Sequence, residues 1–349
     1  MKHWYITGPE KLEVVDEDIP IPAAGEVLVR IAYTALSPGS NLHAYRTGTY
    51  ATQWEPGNVE ALYMGSGVIE SVGAGVDDRR IGQRVAFNGA GHQEYAVLSA
   101  DRVYRIPDKL SLDVASLAYL SAWSVSALHL GGYAAAETVA VVGLGLVGAS
   151  AAVTADVAGA RVLGLDVESG RIDYARGLGL GCVEDPRTLK SGGDADRFLG
   201  TSGPDLIIET SGSWSGFRTA LGLARDYSRI ALMGIYRDPP PEDLLGVLHQ
   251  DLFGFPSKMH YQRVQIVGCG SDPDAFSEPV SRNATRSSNF QWVLEQAARG
   301  RLNLNALVTH RLPADAIESA LIDMMRGERS MIGVVFDWGW SAGERKQDV

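Results

Sequence analysis

The chain has 349 residues, of which 45% are hydrophobic and 21% are charged, and its formal net charge is −11. A chain of this length is too long to fold around a single hydrophobic core, so we expect two domains. Its composition is that of an ordinary globular protein. The negative net charge argues against nucleic acid as a partner, because an acidic surface repels phosphate backbones. The two cysteines are too few for a disulfide framework or for a zinc site built from cysteines.

The N-terminus and the lengths of the apolar segments indicate where in the cell to expect the protein. The N-terminus has no apolar signal core, and no stretch reaches the ~18 apolar residues of a membrane span. We therefore expect a cytoplasmic protein that has no membrane partner and binds a small-molecule substrate.

The first part of the chain shows strand and turn patterns that change to a helical pattern. The short, Val- and Ile-rich segments that predict strands are Glu26–Ile31, Gly67–Ser71 and Gln83–Phe87. Closely spaced Ala, Leu and Ser residues over Leu112–Leu130 predict a helix.

The middle of the chain alternates between strands and helices. The predicted strands are Thr138–Val142, Arg161–Leu165, Leu206–Ile208, Arg229–Met233 and Val264–Val267, and helices run through Ala158 and through Gly177. This alternation is typical of an α/β fold with a doubly wound parallel sheet. After it come predicted helices at Phe290–Arg299 and Ala314–Arg326 and a strand at Gly333–Phe336. We predict one domain over residues 126–274, inserted into a second formed by 1–125 and 275–349.

A glycine-rich turn after the first strand of this middle region carries the strongest chemical signal. Gly143 permits a tight turn, Gly145 lets the backbone approach a diphosphate, and Gly148 lets the strand and helix pack closely. The helix that begins at Leu146 and Val147 offers unpaired N–H groups and a positive dipole end to phosphates. The strand and helix around the motif favour a dinucleotide site over a chance match.

An acidic residue completes the dinucleotide motif. Asp166 ends the strand Arg161–Leu165, about 20 residues after Gly143, the spacing of the acid that binds the adenosine ribose. Its carboxylate favours NAD over NADP because it repels a 2′-phosphate, and the adjacent Val167 would line the same site. The alternative is that Asp166 only caps the next helix, and the nearby Arg171 weakens the case against NADP.

These motifs, with others across the chain, resemble the medium-chain dehydrogenase/reductase superfamily of alcohol-dehydrogenase-like enzymes. The resemblance includes Gly67–Gly73, Gly82–Val85 and Val308–Arg311, and the stretch Leu36–Gly39 is similar to a zinc-lacking branch. It implies a Rossmann domain that binds NAD and a mostly β, GroES-like catalytic domain.

The resemblance also implies where a catalytic zinc would be bound. Its ligand positions fall on Pro38, on Tyr63 with the adjacent Met64, and near Tyr119. Proline cannot bind a metal through its side chain, and tyrosine and methionine are poor zinc ligands. We therefore expect no metal.

Four residues are candidates for catalysis by their match to family positions. Ser40 and His43 match a proton relay, in which Ser40 binds the substrate oxygen, the cofactor ribose passes the proton on and His43 delivers it to water. Ser40 is alternatively a helix N-cap, and His43 a solvated residue. The phenols of Tyr63 and Tyr119 would stabilise the substrate oxygen, or their rings would only fill the space left by the metal.

The remaining cofactor positions are also implied by the resemblance. Thr210 and Ser211 lie in the loop expected beside the adenosine and ribose. Gly234 with Ile235, and Gly268 with Cys269, match the segments that hold the nicotinamide carboxamide. Relatives dimerise through the strand that corresponds to Val264–Val267, which implies a homodimer.

Taken together, the sequence predicts a zinc-independent oxidoreductase that interconverts a secondary alcohol and its ketone with NAD(H). A polyol, a cyclitol or a specialised metabolite is the favoured substrate. Two alternatives stay open: an NADPH-dependent quinone or enoyl reductase of the same superfamily, and a non-catalytic protein that senses NAD or builds an assembly.

Overall fold

A computed structural model describes residues 1–50, 59–189, 195–200, 203–269 and 284–340. The chain forms two compact units: the first unit is Met1–Leu120 with Phe290–Val349, and the second unit is Ser121–Asn289. The boundary predicted after residue 125 lies in a helix that continues to Leu130, and the one predicted after residue 274 lies outside the described residues. Among the residues described, no helix is both long and apolar enough to cross a membrane.

The strands and helices have the following bounds in chain order. The strands are β1 (Lys2–Gly8), β2 (Lys11–Asp16), β3 (Glu26–Ala35), β4 (Val59–Glu60), β5 (Met64–Val72), β6 (Arg84–Asn88), β7 (Tyr95–Ser99), β8 (Val103–Arg105), β9 (Thr138–Val142), β10 (Arg161–Leu165), β11 (Val183–Glu184), β12 (Leu206–Glu209), β13 (Arg229–Leu232), β14 (Gln265–Gly268), β15 (His310–Pro313) and β16 (Val334–Asp337). The α-helices are α1 (Pro38–Thr47), α2 (Leu112–Ala115), α3 (Ala118–Leu130), α4 (Leu146–Val157), α5 (Ser169–Gly177), α6 (Asp196–Leu199), α7 (Trp214–Leu223), α8 (Glu242–Leu248), α9 (Arg286–Ala298), α10 (Leu304–Leu307) and α11 (Ile317–Met325).

The first unit is built mainly from β-sheets. A small sheet has the order β2-β1-β4, and a larger one has the order β15-β16-β3-β5-β6-β8, with β7 also paired to β3. Val27, Val29 and Ile31 alternate along β3 and point into a core that they share with Ile69 and Phe87. This period of two follows from the pleat of a strand, and the opposite face of β3 is largely buried as well, at Leu28 and Ala32.

The second unit contains one parallel sheet in the order β11-β10-β9-β12-β13-β14. All five residues of β9 are buried, and they alternate between two cores: Val139 and Val141 face one, and Ala140 and Val142 face the other. Helices cover both faces of the sheet, which confirms the doubly wound fold. The chain changes direction along the sheet at β9, and ligands of such folds bind at the carboxyl ends of the strands there.

The single helix predicted over Leu112–Leu130 is wrong in one respect, because the segment forms α2 and α3 with a break between them. The hydroxyl of Ser116 donates to the carbonyl of Asp113 (2.6 Å), and the hydroxyl of Ser66 donates to the carbonyl of Leu112 (2.6 Å). The carbonyl of Leu112 still accepts the helical bond from the N–H of Ser116 (3.0 Å). The hydroxyl of Ser116 instead takes the carbonyl of Asp113 from the N–H of Leu117, which donates to the carbonyl of Val114 (3.4 Å), and the helical turn ends there.

Strand β14 lies at the end of the six-stranded sheet and pairs with β13. Among the described residues it has no second neighbour in the sheet. Dimerisation through this strand stays a prediction, which the mass of the protein in solution tests.

The turn from β9 to α4 depends on two glycines. Gly143 has a φ of +90°, and α4 follows with Gly145 as its N-cap residue. A Cβ atom on Gly148 would overlap the carbonyl oxygen of Gly143 and crowd the hydroxyl of Thr210. A Cβ atom on Gly145, by contrast, would meet nothing within 4 Å. Strand and helix thus approach closely at Gly148, while the space above Gly145 is open.

We predict that Gly148→Ala lowers the free energy of unfolding by about 1–3 kcal/mol, because the methyl group has no room. Gly145→Ala is the matched control, and its effect on stability should stay within about 0.5 kcal/mol. Chemical denaturation of both variants measures the difference. Equal stabilities of the two variants would contradict the packing described here.

A buried histidine fixes the core of the first unit. His92 is fully buried, and its Nε2 lies 2.8 Å from the carbonyl oxygen of Ala314 while its Nδ1 lies 2.6 Å from the hydroxyl of Thr34. A carbonyl only accepts, so Nε2 carries the proton and Nδ1 accepts from Thr34. Burial lowers the pKa of His92 to about 3.

We predict that His92 makes the protein sensitive to acid. The unfolded state gains a proton on this residue below its ordinary pKa while the folded state does not, so stability present above that pKa is lost as the pH falls. Between about pH 7.5 and about pH 5 the loss from this residue is about 2 kcal/mol. Unfolding free energies of the wild type and of His92→Gln at both pH values measure it. The same pH dependence in both proteins would contradict the assignment.

Candidate active site

The glycine turn presents its backbone at the carboxyl end of the central strands. The hydroxyl of Thr210 donates to the carbonyls of Gly143 (2.8 Å) and Val142 (3.1 Å), and so ties the turn to the loop after β12. The first N–H groups of α4, on Leu146 and Val147, have no partner within the helix. Unpaired N–H groups at a helix N-terminus are suited to binding a phosphate.

Asp166 connects this turn to the neighbouring strand. One oxygen of its carboxylate accepts from the N–H of Leu144 (2.6 Å), and the other accepts from the N–H of Glu168 (2.9 Å). The residue is 5% exposed. The N-cap residue of α5 is Glu168, so the alternative that Asp166 caps this helix is wrong. Asp166 instead binds the N–H of that N-cap residue and orders the glycine turn.

Two guanidinium groups lie near the same end of β10. Nη1 of Arg171 lies 3.6 Å from the carboxylate of Asp166, and Nη2 of Arg187 donates to the carbonyl of Val167 (2.9 Å). Asp185 holds Arg187 in place through several hydrogen bonds. Val167 itself is 51% exposed. Arg187 could not be predicted at this place from the sequence, because no local pattern brings a residue 20 positions away to Val167.

The loops after β12 and β13 meet around Glu209, a residue whose role the sequence did not reveal. Its buried carboxylate accepts from the N–H and hydroxyl of Ser211 and from the phenol of Tyr236. Gly234 and the half-exposed Ile235 lie in the second of these loops. Two predicted cofactor segments, at Thr210–Ser211 and Gly234–Ile235, are therefore neighbours.

The third predicted segment follows β14. Gly268 ends that strand, and the N–H of Cys269 donates to the carbonyl of Leu232 (2.9 Å). Burial raises the pKa of the Cys269 thiol to about 12, so it is not a nucleophile at neutral pH. Gly270 lies outside the described residues.

In the first unit, Ser40 and His43 lie three residues apart on α1, as the relay prediction requires. The helix begins at Pro38, and its N-cap is Ser37, so the alternative that Ser40 is the cap is wrong. Proline suits the first position of a helix, because a backbone N–H at that position has no partner within the helix and proline has no N–H to leave unpaired. Both Ser40 and His43 are partly exposed.

Tyr63 and Tyr119 belong to a row of aromatic rings in the first unit. The ring of Tyr63 lies edge-on to those of Tyr50 and Tyr119, with centroids 6.0 Å apart in each pair. The amide of the buried Asn41 donates to the phenol of Tyr50 (2.8 Å) and accepts from the N–H of Ser37 (2.6 Å). Burial raises the pKa of Tyr50. Asn41 thus links the helix of Ser40 to the aromatic row, a connection that the sequence did not suggest.

The donor set does not fit a catalytic zinc. Pro38 begins a helix, and Met64 is fully buried in β5. In the part of the chain that the structure describes, no three His, Cys, Asp or Glu side chains lie close enough to hold a metal ion. The positions implied for a metal are instead held by aromatic and apolar side chains.

Comparison with known proteins identifies the family. Residues 23–108 match the alcohol dehydrogenase GroES-like domain, and residues 143–282 match the zinc-binding dehydrogenase domain. The match to the zinc-binding dehydrogenase domain does not include the positions implied for a zinc, which are Pro38, Tyr63, Met64 and Tyr119.

Relatives match over nearly the whole chain. L-threonine 3-dehydrogenase of Anaeromyxobacter dehalogenans is 29% identical over 93% of this chain and 95% of its own. Galactitol-1-phosphate dehydrogenase of Escherichia coli has a TM-score of 0.80 at 20% identity, over 97% of this chain and 100% of its own. An alcohol dehydrogenase of Escherichia coli CFT073, solved with NADH, has a TM-score of 0.77 at 21% identity, over 97% and 99%.

The two domain matches, in the order that the fold shows, and the full-length relatives agree with the glycine turn and the sheet described above. The chain belongs to the medium-chain dehydrogenase/reductase superfamily of alcohol-dehydrogenase-like oxidoreductases.

Proposed function

We propose that the protein is a zinc-independent oxidoreductase that interconverts a secondary alcohol and its ketone with NAD(H). The observation that carries this proposal is the glycine turn, which is bound to Asp166 through the N–H of Leu144 and is followed by the open N–H groups of Leu146 and Val147. The residues present fit a dinucleotide: Gly145 leaves space for a diphosphate, and Asp166 offers a carboxylate to ribose hydroxyls. When bound, the cofactor supplies the hydride acceptor or donor.

In the first unit, side chains handle the substrate and its proton. Ser40 binds the substrate oxygen and, as it takes up the substrate proton during oxidation, gives up its own hydroxyl proton to the relay. His43, at the end of the relay, takes up a proton on its imidazole and releases one to water. The reverse transfers serve ketone reduction. Because no metal stabilises the developing negative charge, the phenols of Tyr63 and Tyr119 donate hydrogen bonds to the substrate oxygen.

The favoured substrate is a polyol, a cyclitol or a specialised metabolite with a secondary hydroxyl group. Relatives named for threonine and for galactitol 1-phosphate support this class, since both compounds carry such a group. The row of tyrosines supports it as well, because phenols offer both an apolar face and a hydrogen-bond donor to a hydroxylated carbon skeleton.

We predict that the purified protein oxidises secondary alcohols from a panel of hydroxylated metabolites with NAD+, and that dialysis against a chelator leaves the rate unchanged. Elemental analysis should find substoichiometric zinc. An enone and quinone panel with NADPH is the control for the alternative reductase. Turnover only of those compounds, or a rate restored by zinc after dialysis, would contradict the proposal.

We propose that NAD is preferred over NADP, because the carboxylate of Asp166 repels a 2′-phosphate. Arg171 acts in the opposite direction, since its guanidinium is close enough to bind such a phosphate. The buried carboxylate accepts hydrogen bonds from two backbone N–H groups, whereas one-third of the Arg171 side chain is exposed. The acid is therefore the more rigidly placed of the two charges.

We predict that Asp166→Asn weakens NAD+ binding about tenfold and relaxes discrimination against NADP+, because a hydrogen bond to a charged group is lost. Arg171→Met is the matched variant and should weaken NADP+ binding alone. Calorimetric titration with both nucleotides measures the selectivity. Unchanged selectivity in Asp166→Asn would remove this residue from the nucleotide site.

A further inference from the structure

The loops that follow β12 and β13 share a buried carboxylate. We infer that Glu209 and Tyr236 are positioning residues that hold these two loops in register, so that both halves of a bound dinucleotide are held together. The inference rests on the proposed function, in which the loop at Thr210–Ser211 contacts the adenosine side and the loop at Gly234–Ile235 contacts the nicotinamide side.

The carboxylate of Glu209 is fully buried. One oxygen accepts from the N–H of Ser211 (2.8 Å) and from its hydroxyl, and the other accepts from the phenol of Tyr236 (2.6 Å) and the N–H of Gly212 (3.4 Å). Among the residues that the structure describes, no cation forms an ion pair with it. A buried charge without a counter-ion must be matched by hydrogen-bond donors, so each of these donors is held firmly.

Tyr236 supplies a side-chain hydrogen bond between the two loops, from its phenol to the carboxylate of Glu209. Burial and the adjacent Glu209 carboxylate raise the pKa of Tyr236, so the phenol keeps its proton and donates. Its ring also packs against the indole of Trp214, with centroids 4.7 Å apart, and against Phe217. The phenol is therefore fixed both by its hydrogen bond and by its ring contacts.

The backbones of the two loops are already in close contact. The N–H groups of Met233 and Gly234 both donate to the carbonyl of Glu209 (2.9 Å each). A Cβ atom on Gly234 would overlap Gly212 and crowd the Glu209 carboxylate. Loss of the phenol hydroxyl would therefore leave the strands, the backbone contacts, the ring packing and the hydrogen bond from the indole of Trp214 to the carbonyl of Asp238 (2.8 Å) in place. It would remove the hydrogen bond between Tyr236 and Glu209.

The test uses the full chain and two nucleotides, NADH and ADP-ribose, which lacks the nicotinamide. We expect Tyr236→Phe to weaken NADH binding about tenfold and ADP-ribose binding less than about threefold, because the lost hydrogen bond is to a charged group and frees the nicotinamide side. Tyr227→Phe is the matched control in the same unit, since Tyr227 is 65% exposed and remote from these contacts in sequence. Ser211→Ala should weaken both nucleotides alike.

Calorimetric titration separates the outcomes. Unchanged NADH binding in Tyr236→Phe, or an equal loss for both nucleotides in that variant, would overturn the inference while the proposed function stands. A wild-type protein that binds neither nucleotide would overturn the proposed function, and the inference with it. A cooperative thermal transition in Tyr236→Phe, at a lower temperature because the buried carboxylate has lost a donor, shows that the variant is folded and that the effect on binding is local.

Discussion

The close approach of strand β9 and helix α4 at Gly148 is the constraint on which the rest of the second unit depends. No side chain fits between Gly148 and the carbonyl of Gly143, so the chain must turn tightly and expose the first N–H groups of the helix. Thr210 and Asp166 then fix that turn from the two neighbouring strands. A packing requirement of the core thus creates the turn at which we propose that the nucleotide binds.

The two buried carboxylates near this turn, those of Asp166 and Glu209, have different hydrogen-bond donors and different charged neighbours. Asp166 accepts backbone N–H groups and has a guanidinium 3.6 Å away. Glu209 is buried deeper and accepts only neutral donors. In the first unit, the positions implied for a metal carry aromatic and apolar residues, and we propose that phenols and hydroxyls polarise the substrate there. The net charge of −11 is compatible with a phosphate-bearing cofactor, because the proposed contacts to the phosphates come from backbone N–H groups and not from basic side chains.

Much of the second unit could be predicted from local pattern. Strands β9 and β10 match their predicted bounds to the residue, because buried apolar runs end at a glycine turn and at an acid. The break between α2 and α3 could not be predicted, since the serine at the break, Ser116, is compatible both with the interior and with the end of a helix. The links from Glu209 to Tyr236 and from Asn41 to Tyr50 were missed for the same reason: they are tertiary contacts without a local motif.

The central claim is that the turn after β9 binds the diphosphate of a dinucleotide while Asp166 contacts its adenosine ribose. A crystal structure of the protein with NADH tests it most directly. The account predicts diphosphate oxygens about 3 Å from the N–H groups of Leu146 and Val147, and ribose hydroxyls at hydrogen-bond distance from Asp166. A diphosphate bound elsewhere, or a ribose out of reach of that carboxylate, would contradict it.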